Sequence, residues 1–213
     1  MVVAQIKKPA PKRLTREESR ALTREKLLAS AYEVMAREGY EGASIDRIAE
    51  EAGFSKGAFY SNFDSKEEIF LELLETHSVL DVSEITELLR NVRDPRKMIE
   101  IISAWAGSRA KDPSWGMLAL DLFRRAKRDA TFGKRHAHLF EKQWKGLGDI
   151  LIGMFPKGAA PANAETLGGI VFELTYGAAA SFTRGPSVKD LVRTALTAMY
   201  DAYGKRAVAT AKL

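Results

Sequence analysis

The stretch from Ser44 to Lys66, SIDRIAEEAGFSKGAFYSNFDSK, constrains the fold of this chain more than any other. Ser44 is placed to cap a helix, its side-chain oxygen accepting an orphan N–H of the first turn. Ile45, Ile48, Ala49 and Ala52 then recur at helical spacing and make one apolar face. Asp46, Arg47, Glu50 and Glu51 fill the other face. Gly53 ends this helix, because glycine tolerates the left-handed conformation of a sharp stop. Phe54 is expected to point back into the core, and Ser55 to cap a second, short helix. Phe59 and Phe63 stand four apart, share a face and bury together. Lys56, Gly57, Tyr60 and Ser61 are left facing outward.

A short helix exposing a lysine, a glycine, a tyrosine and a serine can enter a DNA major groove, because nothing bulky and acidic blocks it. The layout is that of a helix-turn-helix. The segment resembles the DNA-binding domain of the tetracycline-repressor (TetR) family of transcriptional regulators. The matching residues are Ser44, Ile48-Ala49, Ala52-Gly53, Phe54-Ser55-Lys56-Gly57, Phe59-Tyr60, Phe63 and Ser65-Lys66, without gaps. The match extends from about Arg20 to about Glu75, the first third of the chain. The resemblance implies that Tyr60 and Lys66 contact phosphates and that Lys56 and Gly57 lie near base edges. It places Ser44 against the DNA backbone at the start of its helix; Ser55, Ala58 and Asn62 complete the expected contact set. Two positions depart from the family pattern. Alanine at 58 replaces the usual threonine or serine and can still touch a thymine methyl. Asparagine at 62 replaces the usual histidine and can still donate to a phosphate.

Each of these residues has an ordinary alternative. Tyr60 could be a half-buried packing residue and Lys56 a solvated surface lysine. Lys66 could be a first-turn lysine, which the helix dipole mildly disfavours. Gly57 costs about 1 kcal/mol against alanine inside a helix, and that cost near a helix start suggests close approach to another surface.

The remaining pattern is all-α. The first helix is expected from around Thr15 or Thr23 to Glu38, with Leu27, Leu28, Ala31, Val34 and Met35 buried and Gly39 as the stop. A fourth helix should start after Ser65 and run to about Asn91. Others are expected from Pro95 towards Ala110, Ser114 to Asp129, Thr131 to Phe155, Pro161 to about Arg184, and Val188 to Tyr203. No strand-like alternation competes and no internal repeat is visible. The expected organisation is a basic flexible arm over 1–19, a three-helix DNA-binding domain over 20–80, and a helical effector-binding and dimerisation domain over 81–213. Lys7, Lys8, Lys12, Arg13, Arg16, Arg20 and Arg24 crowd the arm and the start of the first helix. A basic arm can add phosphate or minor-groove contacts; a solvated terminus without a specific role is the alternative.

The final two helices carry small and apolar residues: Leu167, Ile170, Val171, Leu174, Gly177 and Ala178 on one, Leu191, Ala195 and Met199 on the other. The family resemblance implies that this pair forms a four-helix interface with a second copy. A homodimer would supply the two-fold symmetry of a palindromic operator. Closure of the chain's own core is the alternative. The middle helices carry Trp105, Trp115, Met117, Phe123, Phe140, Trp144, Phe172 and Tyr176. Plain core is the commoner use of such a set, yet some of it could line a cavity for a hydrophobic or aromatic effector, as the resemblance implies.

Composition narrows the field. The chain has 213 residues, 46% of them hydrophobic, a net charge of +5 and no cysteine. A disulfide framework and cysteine-based zinc sites are excluded, and a reducing cytosol fits. No apolar run approaches the roughly 20 residues of a membrane helix, and the opening MVVAQIKKPAPKRL lacks a signal-peptide core. A cytoplasmic protein with no membrane partner is therefore expected. The histidines are His77, His136 and His138. The last two point about 200° apart around a helix and make no metal pair. No H-E-x-x-H, P-loop or G-x-S-x-G is present, so neither an enzyme nor a bound cofactor or metal is expected. The reading is a regulator on double-stranded DNA, a ligand-responsive repressor acting as a homodimer; an activator or dual regulator with the same head is the alternative, and a helical protein-interaction module a more distant one.

Overall fold

The computed structural model describes residues 15–177 and 185–204, and these form helices joined by short loops. In chain order they are α1 (Arg16–Gly42), α2 (Ile45–Glu51), α3 (Lys56–Tyr60), α4 (Lys66–Leu89), α5 (Pro95–Arg109), α6 (Ser114–Arg128), α7 (Ala130–Ile152), α8 (Ala164–Tyr176) and α9 (Val188–Tyr203). Most begin on a side-chain cap. Thr15 and Glu18 form a reciprocal capping box, and Ser44, Ser55, Ser65, Asp94, Asn163 and Ser187 each accept a first-turn N–H.

The capping box settles the start of α1 at Thr15, so residues 16–19 belong to the helix and not to the expected arm. Lys7, Lys8, Lys12 and Arg13 lie outside the described residues. Gly39 interrupts α1 with φ 73° and ψ 167°, a backbone that L side chains rarely adopt. Gly53 closes the turn between α2 and α3 with φ 78°. α7 stops at Ile152, short of Phe155, where successive i to i−3 bonds tighten the chain through Gly153, Met154 and Phe155. α8 does not reach Arg184 as a described helix: Gly177 turns to extended backbone (ψ 119°), and 178–184 lie outside the described residues.

Two hydrophobic clusters hold the molecule. The first packs α1 to α3 and the start of α4 around Phe59, Phe63, Phe70, Leu27 and Ile48. It does not end near residue 80, because Leu118 and Leu122 of α6 and Phe132 of α7 complete it. The second joins the C-terminal half of α4 with α5, α7, α8 and α9. α4 has 24 residues and spans roughly 36 Å at 1.5 Å per residue, so it belongs to both clusters. Glycines let α7 and α8 touch backbone to backbone: a Cβ on Gly148 would sit 1.8 Å from the Ala164 carbonyl oxygen, and one on Gly168 would sit 1.8 Å from that of Trp144.

This close approach uses part of the surface expected to form a dimer seam. Leu167 and Val171 are buried inside the protomer's own second cluster, because their side of α8 faces α7. Ile170, Leu174, Leu191, Ala195 and Met199 remain partly exposed and Gly177 exposed; Ala178 lies outside the described residues.

Candidate functional site

α3 is presented by its neighbours. Phe59 is fully buried and packs on Phe63 at 5.6 Å between ring centroids. This anchors one side of the five-residue helix and leaves Lys56, Gly57 and Tyr60 in solvent. Tyr60 is 50% exposed and stands edge-on against Phe59. Lys56 Nζ lies 3.0 Å from Asp46 Oδ2 of α2, and this hydrogen bond raises the lysine pKa. No atom outside its own turn comes close to Gly57; a Cβ there would meet only Ser55 Oγ at 3.7 Å. The hydroxyls of Ser44 and Ser55 accept N–H bonds from Arg47 and Ala58 as caps, and Ala58 is partly exposed beside them.

Two expected contact residues face elsewhere. Asn62 is 9% exposed, and its amide donates to the Ala58 carbonyl at 2.8 Å, one turn back. Its amide nitrogen is engaged inside the head, and its Oδ1 is buried there without a partner among the described residues. Lys66 turns back across α4: its ammonium donates to the Tyr40 carbonyl at 2.7 Å and the Ala43 carbonyl at 2.8 Å. Burial lowers its pKa. It thus ties the start of α4 to the last turn of α1 and its C-cap. Arg24 does a similar task that sequence reasoning missed. It donates to both carboxylate oxygens of Glu72 and to the Asn62 carbonyl, and its guanidinium lies 4.0 Å over the Phe63 ring. Its partners are 38 and 48 residues away, so no local pattern announces it.

A cavity of about 610 Å³ lies between the head and the rest of the body. α4 contributes Leu74 and His77, and α6 contributes Trp115, Ala119 and Phe123. Phe140 and Trp144 come from α7, and Phe172 and Tyr176 from α8. Six of the eight aromatic and methionine residues singled out above therefore line it. Trp105 does not: it is buried in the second cluster, edge-on to Phe172 at 5.9 Å. Met117 is also outside, 47% exposed on the far side of α6.

Behind the lining residues His77, Gln143 and Tyr176 lies a buried polar cluster that was not foreseen. Asp81 is fully buried; it accepts from Tyr176 Oη at 2.6 Å and Gln143 Nε2 at 3.3 Å, and Arg109 Nε lies 2.9 Å from its second oxygen. Burial raises its pKa to about 6, against the opposing pull of Tyr176 and Arg109. His77 Nε2 lies 2.8 Å from Tyr176 Oη, and burial with the nearby Arg109 lowers its pKa to about 4. Burial also pushes the Tyr176 phenol far up.

Head and cavity share side chains. Trp115 is stacked between His77 of α4 (3.7 Å, 7°) and Tyr32 of α1 (4.6 Å, 23°). Tyr32 Oη in turn donates to Asp112 at 2.6 Å. Further along α6, Asp121 accepts the Tyr40 N–H at 2.8 Å, and Arg125 donates to Tyr40 Oη and to Glu67 of α4. α6 thus lines the cavity with one face and grips the head with another, a role that its sequence did not reveal. Among the described residues no group of three or more histidine and acidic side chains is placed to hold a metal ion, and no helix is long and apolar enough to cross a membrane.

Comparison with known proteins agrees with this geometry. Residues 27–73 match the model of the bacterial regulatory proteins, tetR family. The transcriptional activator FasR of Mycolicibacterium smegmatis is 39% identical over 87 residues, which cover 41% of this chain and 38% of FasR. The transcriptional repressor AcnR of Corynebacterium glutamicum is 32% identical over 81 residues, covering 35% of this chain and 43% of AcnR. The match thus spans less than half the length of these curated relatives. A TetR-family transcriptional regulator of Mesorhizobium loti shares the fold with a TM-score of 0.68 at 18% identity, over 90% of this chain and 100% of that one. Residues 27–73, which hold the helix-turn-helix, thus match the tetR family of bacterial regulatory proteins, and the all-helical body shares the fold of the Mesorhizobium loti regulator.

Proposed function

We propose that this chain is a sequence-specific, DNA-binding transcriptional regulator that works as a cytoplasmic homodimer and answers to a small effector held in the cavity. The observation that carries the reading is α3, whose Phe59 is buried while Lys56, Gly57 and Tyr60 are exposed on its outer face, Lys56 on a solvent-exposed ion pair with Asp46. A partner surface is what such a face lacks, and the family match over residues 27–73 supports double-stranded DNA as that partner. The partly exposed Ile170, Leu174, Leu191 and Ala195 are the residues left to form a seam with a second copy. The relatives named above are regulators, which favours regulation over catalysis.

The mechanism is a population shift. The dimer with one spacing of its α3 helices holds the operator, and the effector prefers another. DNA and effector then weaken each other's binding by the same factor. α4 and α6 are the elements through which a filled cavity would move the head, α6 through Trp115 and Asp121. We favour repression, the simplest result of operator occupancy; the 39% identity to the activator FasR keeps activation as the second reading. Transcription from an operator-bearing template, with and without the protein, separates the two. The DNA reading itself is tested by a salt titration of duplex binding. Phosphate-borne affinity should fall by about 10³-fold or more between about 50 and 200 mM salt; affinity that ignores salt would contradict it.

A further inference from the structure

The polar atoms on the cavity wall are chiefly acceptors. Gln143 is 7% exposed; its amide N–H goes to Asp81, and its carbonyl oxygen meets no donor among the described residues. Tyr176 gives its only proton to Asp81, so the imidazole is the donor at the contact between His77 Nε2 and Tyr176 Oη. The neutral His77 ring therefore keeps Nδ1 as a bare acceptor. Glu141 and Glu173 add two carboxylates to the lining, and neither has an ion pair or hydrogen bond among the described residues. The donors present, the indole N–H groups of Trp115 and Trp144 and the Ser78 hydroxyl, carry no charge. No described lysine or arginine lines the space, and His136, the other imidazole, stands 3.9 Å from Glu67.

An anionic head entering such a wall would give up its hydration and find no lysine or arginine among the described lining residues in exchange. An ammonium would find carboxylates, the unpartnered Gln143 carbonyl oxygen and aromatic surroundings, each of which favours positive charge. We propose that the cavity takes a hydrophobic cation: an alkyl or aromatic body in the chamber, with an ammonium donating to Gln143 Oε1 and paired with Glu141 or Glu173. This rests on reading the cavity as the effector site and adds the charge of the effector.

Three probes that share one chain and differ in head charge test it: decylammonium, decanoate and decanol. Each is titrated into the full-length protein, with tryptophan emission as the readout, since Trp115 and Trp144 line the cavity. Decylammonium should bind about tenfold or more tighter than decanoate, with decanol between them. The combined Glu141→Gln and Glu173→Gln variant should lose most of that preference and keep its decanol affinity. Added salt should narrow the preference in the unaltered protein, because both glutamates are exposed. Decanoate or decanol binding as tightly as decylammonium would overturn the proposal. Repeating the titration on operator-bound protein separates the two claims. Selective ammonium binding that leaves the operator occupied supports the ligand class and sinks the effector role; operator release by decanoate in place of decylammonium does the reverse.

Discussion

Lys66 stands at the first position of α4, where the helix dipole disfavours a cation, yet its ammonium is held by the carbonyls of Tyr40 and Ala43. Those carbonyls belong to the last turn of α1 and to its C-cap, which lead into α2 and through it α3, so Lys66 positions α3 from behind. Lys66→Met keeps most of the stem and removes the donor. It should cost about 1–3 kcal/mol in urea unfolding and weaken duplex binding with it; unchanged stability would return Lys66 to a purely external role. The serine caps at 44 and 55 were readable in the sequence because each acts on a backbone N–H three residues away. The partners of Lys66 lie 26 and 23 residues back, and no spacing rule reaches them. Asn62 is a different case: its bond to the Ala58 carbonyl spans four residues, a local pattern that the resemblance to DNA-contacting positions overrode.

At the scale of elements, two helical glycines with the same propensity cost do opposite work. Gly168 lets α8 lie against the Trp144 carbonyl, and a methyl there would overlap α7 backbone that has no room to retreat. Gly168→Ala should lower stability by about 2–4 kcal/mol, read as a fall in melting temperature. Gly57 has space around it, so Gly57→Ala should raise stability by up to about 1 kcal/mol through helix propensity while weakening duplex binding. Loss of stability in that variant, or full DNA affinity, would contradict the view that Gly57 is kept for a close external surface. Periodicity showed which faces of α8 and α9 are apolar, but not what covers them. Leu167 and Val171 were for that reason assigned to a dimer seam when α7 already covers them. The aromatic residues behaved likewise: spacing found the set, and only packing sorted Trp105 into the core and Met117 into solvent.

At the scale of the whole molecule, α4 runs through both cores and carries His77, which lines the cavity, and Asp81, buried one turn further on. Their protonation gives opposite signs of pH dependence. Asp81 is raised from 3.8 to about 6, so the folded chain binds the extra proton; its contribution is full below pH 3.8 and declines as pH rises through 6. His77 is lowered from 6.5 to about 4, so the unfolded chain binds the extra proton; its contribution is full above pH 6.5 and is lost as pH falls through 4. The two offset one another between pH 4 and 6. Asp81→Asn should leave a stability that rises with pH across that window, and His77→Asn one that falls; parallel profiles in chemical denaturation would contradict the assignment. The all-helical fold and the helix-turn-helix were visible in local signals, whereas α6 as a second link to the head depends on contacts such as Tyr32 on Trp115, 83 residues apart (115 − 32), that only the folded chain brings together. Selection of binding sites from random duplex DNA, run with the unaltered protein and with Lys56→Ala and Tyr60→Ala, tests the central claim most directly. An enriched palindrome that both substitutions abolish is the expected result; no enrichment at low salt, or an unchanged motif in both variants, would contradict a dimeric regulator that reads DNA with α3.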